Sequence, residues 1–322
     1  MERSLRNRLT YGPLMLAGLG LLLLLDHNAQ VWTRSWMQKH YHVEQGVGGI
    51  GLLLLLAIIL PLATAELATL FAAERVRPYR LIAAVGAGAL VLHAFLTQFP
   101  PFQNVAASTL AFIIVSIPLL AALRRAWVKQ TQEAITTMAG TVLSTLYLGG
   151  LGWFLLALRV KHSAPGSRHD FHGTTAIILD ILLMVKFTDI GAYFGGKALG
   201  RRKLIPWLSP GKTWEGLAFG LLTAGLVGMA FTPAIEHAEV WRHNGILVRI
   251  ILARELVRNF IFGALIGGIG QLGDLLESLM KRDAEVKDSG KLIPGFGGIL
   301  DVIDSPLLAA PFAYLLFSFF AS

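Results

Sequence analysis

Apolar windows of membrane-spanning length recur from one end of this chain to the other, at roughly 9–25, 47–66, 80–97, 105–123, 135–158, 173–195, 214–232, 258–277 and 298–320. A helix rises about 1.5 Å per residue and the hydrocarbon layer of a bilayer is about 30 Å thick, so such windows suit transmembrane helices. The pattern predicts an all-α, polytopic integral membrane protein with about nine transmembrane helices. The first window follows the basic start MERSLRNRL and runs into LLLLLDHNAQVW. No small-residue cleavage pattern follows it, so it is read as a retained helix rather than a signal peptide.

The polar connections give the chain a direction. With an inside amino terminus, RVRPYR (75–80), RRAWVK (124–129), GRRKLIPWLSPGK (200–212) and KRDAEVKDSGK (281–291) share the cytoplasmic face, and all are basic, as the positive-inside rule requires. The opposite face receives the nearly uncharged TQFPPFQN, together with RVKHSAPGSRHDFH and a 233–257 segment carrying several arginines. An amphipathic helix at the membrane interface is expected for 233–257. Composition agrees with the membrane class: 54% of the 322 residues are hydrophobic and 15% are charged. The net charge of +8 is spread over short loops, which favours anionic lipid and argues against nucleic acid as a partner. With no cysteine, a disulfide framework, a thiolate zinc site and a cysteine nucleophile are all excluded.

Residues 1–172 read as an amino-terminal transmembrane scaffold of leucine runs and small residues, and 173–322 as a carboxy-terminal region of different character. There Asp180, Lys186, Asp189, Asp274, Glu277, Asp301 and Asp304 fall within or beside apolar windows. Ionisable groups at such depth are costly unless paired, so they mark either function or mutual salt bridges, the latter a natural reading for Lys186 and Asp189 one turn apart.

Two stretches carry the candidate chemistry. In GDLLESLMKR (273–282), Asp274, Ser278 and Lys281 lie at i, i+4 and i+7 on one helical face, and Asp301 and Asp304 repeat the theme at i and i+3. Converging carboxylates suit a hard cation such as Mg2+. Between them LIPGFGGIL offers a tight turn whose backbone amides, near a helix start, can hold phosphate, although many such turns serve steric needs alone. In TDIGAYFGGKALGRRKLIPWLSPGKTWEG (188–216), Asp189 and Tyr193 share a face, and Lys197, Arg201, Arg202, Lys203 and Lys212 crowd beside glycines and hydroxyls in a manner suited to a polyphosphate. GIGQLG (268–273) fits the dinucleotide fingerprint only literally and is expected to serve close helix packing. GKT (211–213) is no P-loop, because Pro206 stands where the first glycine is required. GALIG (263–267) offers a small-residue face for packing within the chain or for a homodimer.

These motifs resemble the phosphatidate cytidylyltransferase, or CDP-diacylglycerol synthase, family. Its signature runs as a serine, Lys-Arg, Lys-Asp, Pro-Gly-His-Gly-Gly and Asp-Arg-x-Asp. This chain supplies Ser278, Lys281-Arg282, Lys287-Asp288, Pro294-Gly295-Phe296-Gly297-Gly298 and Asp301-Val302-Ile303-Asp304. DIGAYFGGK and SPGKTWEG resemble the family's second conserved region, so the likeness covers about half the chain, from roughly 173 onward. Phe296 stands where the family has histidine, and Val302 where it has arginine.

The resemblance implies transfer of the cytidylyl group of CTP to phosphatidate, giving CDP-diacylglycerol and pyrophosphate, in a bacterial inner membrane with the site on the cytoplasmic side. It implies catalytic roles for Asp274, Lys281, Arg282, Asp301 and Asp304, with Asp274 and Asp301 on Mg2+ and a second cation such as K+ nearby. Substrate contacts are expected from Asp189, Lys197, Ser209, Lys212, Thr213 and Glu215 upstream, and from Ser278, Lys287, Asp288, Gly295, Gly297 and Gly298 downstream. The reaction needs no general base, because the second pKa of a phosphomonoester is about 6 and the nucleophile is already anionic. Three rival readings stand beside this one: a CTP-dependent synthase for another lipid phosphate; a silent membrane scaffold, suggested by Phe296 and Val302; and a transporter, whose paired interrupted helices the one-sided polar signal does not match.

Overall fold

The computed structural model describes residues 2–129, 131–160, 175–230 and 246–321. The described residues are overwhelmingly helical, and every apolar window meets a helix. In chain order these are α1 (Glu2–Tyr41), α2 (Ile50–Ala73), α3 (Arg80–Leu96), α4 (Pro100–Trp127), α5 (Ala134–Thr145), α6 (Leu151–Val160), α7 (Thr175–Leu199), α8 (Trp214–Ala230), α9 (Ile246–Asp283) and α10 (Leu300–Ala321). A π turn, Leu146–Gly150, joins α5 to α6.

The count of nine spans needs qualification. Among the described residues, six helical segments are long and apolar enough to cross a membrane, within α1, α2, α4, Ala134–Val160, α9 and α10. α3 and α8 are apolar but shorter, and the apolar run of α7 carries Asp180, Lys186 and Asp189. The all-α expectation also gains an exception. Lys203–Ile205 (β1) and Ser209–Thr213 (β2) pair as an antiparallel hairpin, registered Lys203 to Thr213 and Ile205 to Ser209. Of the 233–257 interface segment, 233–245 lies outside the described residues, and 246–257 simply begins α9.

The chain divides into two compact units. The first comprises Met1–Thr175, Leu279–Ile303 and Phe317–Ser322. Within it α3 lies against α2, α4, α5 and α6, and its buried stripe of Ala83, Gly86, Ala87, Leu90, Val91 and Ala94 explains how so many helices approach it. At the π turn a Cβ on Gly149 would stand 2.8 Å from that of Ala87, so the widened turn sits where two backbones nearly touch. Buried His93 is fully used: Trp153 Nε1–H donates to Nδ1 at 3.0 Å, which leaves Nε2–H for Ala106 O at 2.8 Å.

The scaffold is less plain than its leucine runs suggest. α1 continues well past its apolar window, and there Asp26 and Gln30, one turn apart, both face Arg159 of α6. Arg159 Nε lies 2.5 Å from Asp26 Oδ2, with side-chain exposures of 1% and 0%. Gly51 N–H donates to the other Asp26 oxygen at 3.1 Å. Removing one member of such a pair strands a buried charge, so Asp26→Ala is expected to cost about 3–5 kcal/mol. A lower midpoint of thermal unfolding in detergent checks this. Replacing both partners with leucine and methionine should be tolerated far better, because no charge is then left alone.

The second unit comprises Ala176–Ser278 and Asp304–Leu316. Its helices meet through small residues. A Cβ on Gly263 would lie 3.0 Å from the Ala224 carbonyl carbon, and one on Gly267 would lie 2.6 Å from that residue's Cβ. The GALIG face is therefore taken up inside the chain, against α8. The GIGQLG glycines likewise serve packing, Gly268 against Leu221 and Gly270 against Val185.

Candidate functional site

In the second unit, α9 brings Asp274 and Glu277 to one place three residues apart, and α10 brings Asp304. The two helices approach so closely that a Cβ on Gly273 would lie 2.8 Å from Asp304 O. One carboxylate oxygen from each of Asp274, Glu277 and Asp304 lies within 4.8 Å of the others. Asp304 and Glu277 are buried, and Asp274 is half-exposed. The β-hairpin adds a cation: Lys212 Nζ lies 2.6 Å from Asp274 Oδ2. On α7, Asp189 pairs with Lys186 at 3.9 Å and accepts a 2.6 Å hydrogen bond from Gln271 of α9. Three carboxylates this close repel one another strongly unless positive charge joins them, and an all-oxygen donor set suits a hard divalent ion.

Glu277 had no site role in the sequence reading. The available signal was its spacing from Asp274 inside an apolar window; what the sequence could not give was the approach of α10.

In the first unit, the amino end of α10 and the turn before it make a second polar cluster. Asp301, 9% exposed, receives Lys281 Nζ at 2.6 Å on Oδ1. Its Oδ2 accepts from Gly298 N at 2.7 Å, Ser289 Oγ at 2.9 Å and Ser289 N at 3.0 Å. Buried Glu66 of α2 accepts from Ile299 N and Leu300 N, each at 3.0 Å. Two expectations fall on this cluster. The amides at this helix start, read as able to hold phosphate, here donate to carboxylates. Asp301, expected to share a metal with Asp274, has both oxygens engaged by protein donors, and the carboxylates with metal-ligand spacing among the described residues are Asp274, Glu277 and Asp304.

The turn itself, Pro294 to Gly298, is shaped by its glycines. Gly295 and Gly297 adopt φ of +88° and +100°, and a Cβ on Gly297 would press on the Asp301 carboxyl, 3.1 Å from its Cγ. Phe296 packs beside Gly12 of α1, and Val302 is half-buried on α10.

The remaining predicted residues fall into two kinds. Thr213 is the N-cap of α8, its Oγ1 accepting from Gly216 N at 3.1 Å, and Glu215 accepts from the Arg201 and Arg202 backbone N–H groups at 3.1 and 3.2 Å. Both shape the hairpin and its junction with α8. Ser209 stands opposite Ile205 in the hairpin, and Ser278 is half-buried on α9. Lys197, 6.0 Å from the Tyr193 ring centre, is exposed, as are Arg282, Lys287 and Asp288. Those cations are open to a soluble anion.

Comparison with known proteins bears on both clusters. Residues 30–320 match the cytidylyltransferase family. A phosphatidate cytidylyltransferase of Haemophilus influenzae is 42% identical over 166 residues, 52% of this chain and 51% of that protein. The match thus spans about half that relative's length. The enzyme of that name from Bacillus subtilis is 33% identical over 255 residues, covering 78% of this chain and 85% of its own.

Proposed function

Because the chain belongs to the cytidylyltransferase family, we propose that it transfers the cytidylyl group of CTP to the phosphate of phosphatidate, within the membrane, with release of pyrophosphate. The observation that carries the reading is the carboxylate group of Asp274, Glu277 and Asp304 with Lys212 at 2.6 Å from the first of them. A phosphatidate oxygen forms a bond to the α-phosphorus of CTP, and the bond from that phosphorus to the bridging oxygen of pyrophosphate breaks. No proton need move, because the attacking oxygen is anionic near neutral pH. The obstacle is repulsion between two polyanions, so positioned positive charge performs most of the work.

In this reading Asp274, Glu277 and Asp304 would hold Mg2+, which would supply charge neutralisation at the phosphate oxygens. A second cation such as K+ would serve the same end. Lys212, paired with Asp274, would supply positive charge to a phosphate beside these carboxylates. Lys186 and Asp189 set the charge beside it, and exposed Lys197, Arg282 and Lys287 draw the nucleotide from solution. Lys281, held by Asp301, adds a fixed positive charge at the signature segment. All nine helical segments are taken as spans, α3 and α8 at the lower end of the roughly 17–25 residues that cross a bilayer. The basic loops support a reaction on the cytoplasmic side, where the nucleotide is found. Phosphatidate enters from the bilayer.

The test uses the purified full chain in detergent with phosphatidate, Mg2+ and CTP labelled at the α-phosphate. Label is expected to enter the lipid phase, to stop on chelation of Mg2+ and to return when the ion is restored. Failure of transfer with phosphatidate and with other lipid phosphates, despite nucleotide binding, would place the chain among silent scaffolds.

A further inference from the structure

Glu66 belongs to α2, far from the signature segment in sequence, yet its carboxylate is spent there. It is 9% exposed and accepts from Ser289 Oγ at 3.2 Å, as well as from the Ile299 and Leu300 amides at 3.0 Å. These partners lie 223 to 234 positions further along the chain. Ile299 directly precedes α10 and Leu300 opens it, so neither N–H has a partner within the helix. Glu66 satisfies both. Ser289 then links the two acids: its hydroxyl, with one proton to offer, lies between Glu66 Oε2 and Asp301 Oδ2, and its N–H is fixed on Asp301. Glycines close the arrangement. A Cβ on Gly290 would stand 2.8 Å from Glu66 Cδ, and one on Gly298 2.5 Å from Glu66 Oε2, so no side chain fits between this carboxylate and the turn.

We infer that Glu66 is a positioning residue for cytidylyl transfer, clamping Ser289 and the start of α10 so that Asp301 stays in one orientation against Lys281. Its kinetic part rests on the function proposed above; its geometric part does not. Asp301 is held by Lys281 at one oxygen and by the turn at the other, so a shift of the turn moves the carboxylate and the ammonium together. Misplacing a reacting group by about 1 Å lowers rates by about 10²-fold.

Two readouts on the full chain test this: steady-state kinetics, and hydrogen–deuterium exchange of the 286–303 segment. Glu66→Gln keeps the shape but cannot accept from both helix amides. It is expected to raise exchange in that segment alone and to lower kcat by about 10- to 100-fold, with KM for CTP within about threefold of wild type. Glu66→Asp, which keeps the charge and both acceptors on a shorter stem, should recover part of kcat. Raised exchange with unchanged kcat would reduce Glu66 to a helix cap, and unchanged exchange would refute the clamp itself. If Glu66→Gln does not fold, Ser289→Ala and Glu66→Asp decide: wild-type kcat in both overturns the proposal. If wild type transfers no label, the proposed function fails, and the exchange measurement alone still decides whether Glu66 holds the segment.

Discussion

Asp274→Asn is expected to lower cytidylyl transfer on the order of 10³-fold, equivalent to about 4 kcal/mol of barrier. Asp274 is the member of the carboxylate group that meets Lys212, at 2.6 Å, and the most open of the three. The amide keeps the shape but removes the charge that would hold a divalent ion, and it leaves Lys212 without its counter-charge. Glu277 and Asp304 remain, so weak ion binding should persist. The rate measured against Mg2+ concentration separates the two effects. A higher Mg2+ requirement with part of the rate recovered at saturation marks lost affinity, and a low plateau marks misplaced charge at the reacting phosphates. Wild-type rates at every Mg2+ concentration would remove Asp274 from the site.

Much of this was open to the sequence because it depends on local periodicity. The apolar windows located the helices, and the Asp274, Asp301 and Asp304 spacings located the acids worth attention. Small residues in GIGQLG and GALIG declared helix packing, and packing is what they do, against α7 and α8. The rest depended on partners that no local pattern names. Arg159 and Asp26 are 133 positions apart, and Glu66 meets amides 233 and 234 positions away. An acid in an apolar window announces only that some partner exists. Backbone N–H groups leave no mark in a sequence, so nothing in LIPGFGGIL shows that Gly298 donates to Asp301, and Ile299 and Leu300 to Glu66. The hairpin was hidden for another reason. Its strands are three and five residues long and hold Pro210, so they show neither the length nor the alternation that marks a strand.

Asp301→Asn is expected to lower turnover by about 10²- to 10³-fold, with the loss divided between charge and geometry. Asp301 accepts on both oxygens: Lys281 at one, and Gly298 N, Ser289 Oγ and Ser289 N at the other. Asparagine must place its NH2 toward one side or the other, and each orientation sets donor against donor. Turned toward Lys281 it strands an ammonium that is 12% exposed; turned toward the turn it leaves two backbone amides short of an acceptor. Each buried donor so orphaned costs about 1–3 kcal/mol, so some loss of stability accompanies the loss of rate. A double-mutant cycle with Lys281→Met divides them. If the task of Asp301 is to hold Lys281 in place, the double variant should be no slower than the worse single variant, because the ammonium it positions is already gone. Full additivity would instead assign the two residues separate tasks. An Asp301→Asn protein that folds and transfers at the wild-type rate would mean that this segment only fastens α10, leaving the chemistry to the carboxylates of the second unit.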